Sequence, residues 1–300
     1  MFPRSRIVLA AAFLAVACRT SAPGLDDAAK LAYEVKPAVV RVSAYATATF
    51  RYRRTTILAL ERALHDGGYD FAAHDVPDAD EGSVDTGAGG SGTGFVIHPN
   101  GYILTSGHVV APTRDSAALQ RDLRRNGAIA ALLKHFSVDD LRRLHRDDAL
   151  DRFVEPLAAA GAVDRIVTVN DVELSNGDKL PFRVERYSPA LAQGGADIAL
   201  LSVARKDLPV VRLGDSDSIR IGDSIWSIGY PAVASSSDDV IGGWLSRDSD
   251  LEATTNPGSI TAIKRDVTNA PVFQSNVAIY RGNSGGPAVN RDGDVIAIST

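Results

Sequence analysis

The sequence predicts an all-β fold carrying one helical insertion, and three observations point to it. Short apolar runs alternate with turn residues over much of the 300-residue chain, which holds 26 glycines and only 6% aromatic residues. That is the rhythm of strands. Asn100-Gly101 and Asn176-Gly177 each stand between such runs, and Asn-Gly tolerates the positive φ of a tight turn. From residue 114 to 160 the rhythm changes. There Leu119, Leu123, Leu132, Leu133, Phe136, Leu141, Leu144, Phe153 and Leu157 recur at helical intervals among many charges.

The elements follow in chain order. Arg4 and Arg6 precede the apolar run Ile7–Ala17, which is too short to span a bilayer of ~30 Å at ~1.5 Å per residue. Residues 1–18 therefore read as an export signal. Leu14-Ala15-Val16-Ala17-Cys18 resembles a bacterial lipobox, which makes Cys18, the only cysteine, a candidate for lipidation; the alternative is an ordinary secretory signal that is removed with it. Under either reading the mature domain has no disulfide. Residues 19–30 read as a tether, and Ala38–Val42 after Pro37 as a first strand.

Residues 51–90 break the β pattern, with helical spacing over Ile57–His65 and an acidic, turn-rich stretch after it, and read as a surface insertion. Strands resume at Gly94–Ile97 and Gly101–Thr105 around the Pro99-Asn100-Gly101 turn. Within the 114–160 insertion, Ser137 and Asp140 have capping-box spacing, so a helix starts after Ser137. Further strand signals lie at Arg165–Val169, Phe182–Val184, Asp197–Val203, Val210–Leu213, Ser224–Ile228, Gly258–Ile263, Val272–Gln274 and Val295–Ser299. The net charge of −5 argues against a strongly basic nucleic-acid surface.

Three local patterns can carry chemistry. His108 ends an apolar strand, Asp197 opens another, and Ser284 sits in Gly282-Asn283-Ser284-Gly285-Gly286-Pro287. A serine hydroxyl needs an adjacent base to act as a nucleophile, and neutral imidazole is suited to take its proton. An ionised Asp on the other ring nitrogen fixes the tautomer. The glycines let the Gly282 and Ser284 amides converge on an oxyanion, worth ~3–4 kcal/mol per donor. Each pattern alone is more often structural, since strand-end His and Asp residues and Gly-rich turns are common. Together, in the chain order His, Asp, Ser, they match the template of chymotrypsin-type acyl transfer.

At this point Gly92–Ile97, Gly101–Thr105, His108-Val109-Val110, Asp197–Leu200, Leu213–Ser216, Gly222-Asp223 and Gly282–Pro287 together resemble the HtrA (Deg) family of trypsin-like serine proteases. The resemblance covers about 31–50, 90–112 and 162–300. It implies a double β-barrel of the chymotrypsin/trypsin type, with residues 31–207 as the first barrel, holding both insertions, and 208–300 as the second. It also implies endopeptidase action on unfolded or misfolded exported polypeptides, no cofactor, a cell-envelope or periplasmic location, and trimeric assembly. By position, Val277, Ala278 and Ile279 would form the substrate pocket; with no acid at its base, small or medium apolar side chains are expected there.

The sequence departs from the family at Tyr280-Arg281, where Asn-Pro is usual, at Ser275-Asn276, where Thr-Asp is common, and at Tyr230, where Asn is common. It stops at Thr300, sixteen residues after Ser284, so the second barrel is expected to be incomplete. Other readings weigh less. Gly282-x-Ser284-x-Gly286 also matches the α/β-hydrolase elbow, but that fold needs a later His, and none follows His145. Gly87-x-Gly89-x-x-Gly92 mimics a dinucleotide fingerprint but leads into a strand. His65 and His74 lack metal-ligand spacing. The alternative of a different class is a non-catalytic, protease-like binding or chaperone module.

Overall fold

The computed structural model describes residues 30–31, 33–76, 78–231, 252–266 and 269–300. The export-signal, Cys18 and tether readings lie outside these residues, apart from Lys30. Strands β1 (Val39–Arg53), β2 (Glu81–His98), β3 (Tyr102–Thr105), β4 (Ala162–Glu173), β5 (Lys179–Ser188) and β6 (Ile198–Val203) close into a barrel in the order β1-β2-β3-β6-β5-β4. Both Asn-Gly turns occur where expected, with Gly101 at φ 91° between β2 and β3 and Gly177 at φ 86° between β4 and β5.

A second sheet is built from β7 (Arg212–Leu213), β8 (Ser224–Gly229), β9 (Thr254–Arg265), β10 (Pro271–Ser275), β11 (Pro287–Val289) and β12 (Asp294–Ile298). Its order is β10-β9-β8-β11-β12-β7, and β10 does not pair with β12. Among the described residues it is therefore open where the first barrel is closed. One apolar core joins the two, with Val40, Val42, Phe95 and Leu201 from the first barrel packed with Trp226, Ile228, Val289 and Val295 from the second sheet. The expected all-β architecture, with a closed barrel, a second sheet and helices between His108 and Asp197, is what forms.

The two expected insertions fold against each other, but residues 51–53 and 81–90 do not break the β pattern: they are the far ends of β1 and β2, paired with each other or with the rest of the ribbon. β1 runs to Arg53 and pairs residue for residue with β2 from Val39↔Phe95 to Arg53↔Glu81, so a long ribbon leaves the barrel. Helix α1 (Arg54–Asp66) follows β1 directly. After β3 come the one-turn helix α2 (Gly107–Val110) and then α3 (Ser116–His135), α4 (Val138–Arg146) and α5 (Asp151–Ala160). Asp115 caps α3 through the amides of Ala117 and Ala118, at 2.9 and 3.0 Å. Ser137 and Asp140 form the reciprocal capping box that their spacing predicted, both bonds at 3.1 Å.

These helices bury Ile57, Leu60, Leu64, Leu132, Leu144 and Leu157 against Phe50 and Tyr52 at the ribbon's end. Gly127 of α3 and Gly161 after α5 close on the Phe50 ring so tightly that a Cβ at either would collide with it. Phe50 is fully buried and anchors this second core. Its replacement by Ala is expected to cost about 3–5 kcal/mol, read as a lowered urea midpoint. A loss below about 1 kcal/mol would show that the core does not hang on this ring.

Candidate active site

Strand pairing brings His108 and Asp197 together. β3 and β6 are antiparallel neighbours, with Thr105 opposite Ala199, so the residues just after β3 lie beside those just before β6. In α2, Val109 and Val110 turn into the core and leave the His108 side chain 41% exposed. Asp197 adopts φ 51°, a left-handed conformation that Asp tolerates better than most residues. Its N–H donates to the Pro189 carbonyl at 2.8 Å.

The Asp197 carboxylate accepts three bonds. Oδ1 takes the His108 backbone N–H at 2.8 Å. Oδ2 lies 2.8 Å from Nδ1 of His108 and also accepts the Thr300 hydroxyl. An ionised carboxylate only accepts, so Nδ1 must carry a proton. A neutral ring then presents the lone pair of Nε2. Burial by itself would raise the Asp197 pKa, but the Thr300 hydroxyl and the His108 ring and amide outweigh it and hold the carboxyl below its ordinary value. An unfolded Asp titrates near ~3.9. The stabilisation is thus complete above that pH and is lost as acid takes the pH down through the lower folded value.

The Ser284 loop packs beside this pair. A Cβ placed on Gly92 would meet Val109 at 2.6 Å and the Ser284 carbonyl at 2.9 Å, so the chain next to His108 and the Ser284 backbone flank one glycine. The backbone groups of the loop are almost all accounted for. Asn283 N–H donates to the Tyr280 carbonyl at 3.0 Å, Gly285 N–H to Ser299 at 2.7 Å and Gly286 N–H to Asn283 at 2.9 Å. The Gly282 carbonyl accepts the Thr93 hydroxyl at 2.7 Å, and the Ser284 carbonyl accepts the Thr93 N–H at 2.8 Å.

Two donors are left over. Among the described residues, the Gly282 and Ser284 amides have no acceptor, and these are the two the sequence pointed to. Gly282 at φ 94°, inside the Tyr280–Asn283 turn, has the signature of the third residue of a type II turn, where a glycine is needed. The Ser284 hydroxyl makes no hydrogen bond to His108 among the described residues. Such a contact often tightens only when substrate is bound.

The trypsin-like peptidase domain description matches residues 92–298 of this chain, more than half of it. The chain belongs to the trypsin-like peptidase family. It is HtrA-like within that family. A probable periplasmic serine endoprotease DegP-like from Pseudomonas fulva (strain 12-X) is 28% identical over 212 residues, covering 70% of this chain and 28% of the relative. The periplasmic serine endoprotease DegP of Escherichia coli (strain K12) is 33% identical over 138 residues, covering 44% of this chain and 24% of the relative. The chain thus spans about a quarter of the length of these two relatives. A solved structure of the HtrA-type protease AlgW with a decapeptide aligns over 91% of this chain and 58% of its own, at 20% identity and a TM-score of 0.45.

Within this trypsin-like peptidase domain, the three residues assigned to a pocket separate. Val277 is buried among Ile219, Ile225, Ile260 and Ile296. Ala278 is exposed. Ile279 is 45% exposed and lines a cavity of about 340 Å³ between β10 and β12. Ile225, Ile260, Phe273 and Ile298 line the same cavity, which reaches Asp197 and Thr300.

Sequence reasoning missed two residues. Thr300 carries no local signal, because its bond to Asp197 crosses the cleft. Thr93 stood inside the quoted Gly92–Ile97 motif, but nothing in that motif shows that its hydroxyl meets a loop 189 positions away. Tyr230, one of the departures, is buried between the barrels. Its N–H donates to Thr93 Oγ1 at 3.0 Å and its hydroxyl to the Val39 carbonyl at 3.3 Å, and burial pushes its pKa up to about 12.

Proposed function

We propose that this domain is a serine endopeptidase acting on unfolded or misfolded exported polypeptides. The observation that carries the reading is the His108–Asp197 hydrogen bond, because it leaves Nε2 as the base. Ser284 Oγ attacks the scissile carbonyl carbon while His108 Nε2 takes its proton. The Gly282 and Ser284 amides hold the resulting oxyanion. His108 then protonates the departing amine, leaving an acyl-enzyme on Ser284. Water, activated by the same imidazole, releases the acid. Asp197 orients His108 and balances the imidazolium.

The export-like N-terminus and the periplasmic relatives support a location in the cell envelope, with a lipid on Cys18 as the anchor. Trimeric assembly follows from the HtrA likeness alone. The apolar surroundings of Ile279 favour small or medium apolar side chains before the scissile bond.

A fluorophosphonate probe tests the nucleophile. The expected result is one adduct, mapped by mass spectrometry to Ser284 and lost in His108→Ala. No adduct, or an adduct on another serine, would move the reading to a binding or chaperone module. A peptide library should show cleavage after small or medium apolar residues; a profile dominated by Lys and Arg would refute the pocket assignment.

A further inference from the structure

We infer that Thr93 is a positioning residue that holds the Gly282–Ser284 loop in its anion-receiving form, a role that rests on the catalytic reading of Ser284. Thr93 lies on β2, in the other barrel, and is fully buried. Every polar group it has is engaged. Its N–H donates to the Ser284 carbonyl at 2.8 Å, and its hydroxyl donates to the Gly282 carbonyl at 2.7 Å. The same hydroxyl oxygen accepts the Tyr230 N–H at 3.0 Å, and its carbonyl accepts the Thr105 hydroxyl at 2.6 Å.

The geometry of the loop gives these bonds a purpose. Two carbonyls, two residues apart, are both drawn to Thr93, so the peptide planes that follow Gly282 and Ser284 face β2. The amides of the same two residues belong to the preceding peptides and keep no partner among the described residues. Gly282 itself resists rotation poorly, since a glycine populates both signs of φ. The Asn283 side chain adds no hydrogen bond: its nitrogen and oxygen are both buried without a partner. Tyr280 is half exposed. Of the side chains around Gly282, the Thr93 hydroxyl is the one that grips its carbonyl, and a single proton suffices because Tyr230 arrives as a donor.

Removing the hydroxyl strands a buried carbonyl and a buried N–H together. Unmet groups of this kind are costly, and turning the Gly282–Asn283 peptide towards another donor is the local way to meet them. That rotation about Gly282 would pull the Asn283 N–H off the Tyr280 carbonyl, open the turn and displace the oxyanion amides of Gly282 and Ser284 on either side of it, with every atom of Ser284, His108 and Asp197 still present.

The test compares Thr93→Val, which keeps the shape and loses the hydroxyl, with Thr93→Ser, which keeps the hydroxyl, in the full chain. Turnover of an unfolded-casein peptide is measured beside thermal melting and binding of a peptide boronate, which mimics the tetrahedral state. Thr93→Val is expected to lose roughly 10²-fold in kcat with little change in KM, and to bind the boronate more weakly by a similar factor. Thr93→Ser is expected to stay close to the parent. A folded Thr93→Val with parental kcat overturns the inference, as does a Thr93→Ser that falls equally far. Should Thr93→Val not fold, Thr93→Cys, with its weak S–H donor, takes its place under the same criteria.

If the parent shows no Ser284-dependent turnover, the catalytic reading fails by itself. The crystal structure of the Thr93→Val or Cys protein then decides the positional claim. A loop rotated about Gly282 supports it, and an unchanged loop with both amides still unpaired overturns it.

Discussion

Ser284→Ala is expected to lower kcat on unfolded casein about 10⁶-fold while the protein folds and binds substrate as before. The loop does not depend on the Ser284 side chain. Its position is set by the Ser284 carbonyl on Thr93 and by the Gly285 and Gly286 amides on Ser299 and Asn283. Losing Oγ therefore removes the nucleophile and little else. The two unpaired amides would remain, and with them a residual rate above that in water of ~10³–10⁴. Equal turnover in the two proteins would remove Ser284 from the mechanism. No turnover in the parent, with unfolded chains still bound, would favour the chaperone reading.

Asp197→Asn is expected to cost about 10⁴-fold in kcat near neutral pH, and the cause lies in the bond inventory. Asp197 accepts the His108 amide on Oδ1 and the imidazole Nδ1–H on Oδ2. In Asn, the oxygen would keep the backbone amide and the NH₂ group would face Nδ1. The ring would then present its lone pair to that NH₂ and carry its proton on Nε2, where it cannot serve Ser284. A second readout separates this from simple damage. The parent gains stability from ionised Asp197 at every pH above the ordinary Asp range and loses it on acidification, whereas the Asn variant has no such acid-linked loss. A variant that keeps parental kcat would show that the tautomer is not set here.

What the sequence reveals and what it hides follow from range. The Asn-Gly turns and the Ser137–Asp140 capping box are local chemistry, complete within a few residues, and both could be read directly. The meeting of His108 with Asp197 was readable only as a chain-order pattern, since 89 positions separate them; the β3–β6 pairing supplies the physical reason. The sequence signals β1 only as far as Val42, because Ala44, Ala46 and Ala48 carry little apolar character. Ala46 and Ala48 are small because Leu119 and Leu123 of α3 lie across them, a fact held in a segment more than 70 residues away. Thr93 and Thr300 were hidden for the same reason: a hydroxyl reveals its partner only after the barrels meet.

One face of β1 is buried at every second position, from Val40 and Val42 through Ala44, Ala46 and Ala48 to Phe50 and Tyr52. The first residues fill the barrel, the middle ones lie under α3, and the last two anchor the helices. This gives the strand a parity. Adding one residue between Ala44 and Phe50 would turn Phe50 and Tyr52 to the opposite face and tear the helical core from its anchor. Adding two, matched by two in β2, would preserve every facing. Length variation in this ribbon is therefore expected in even, paired steps, with the distance between barrel and helices changing by a fixed increment each time.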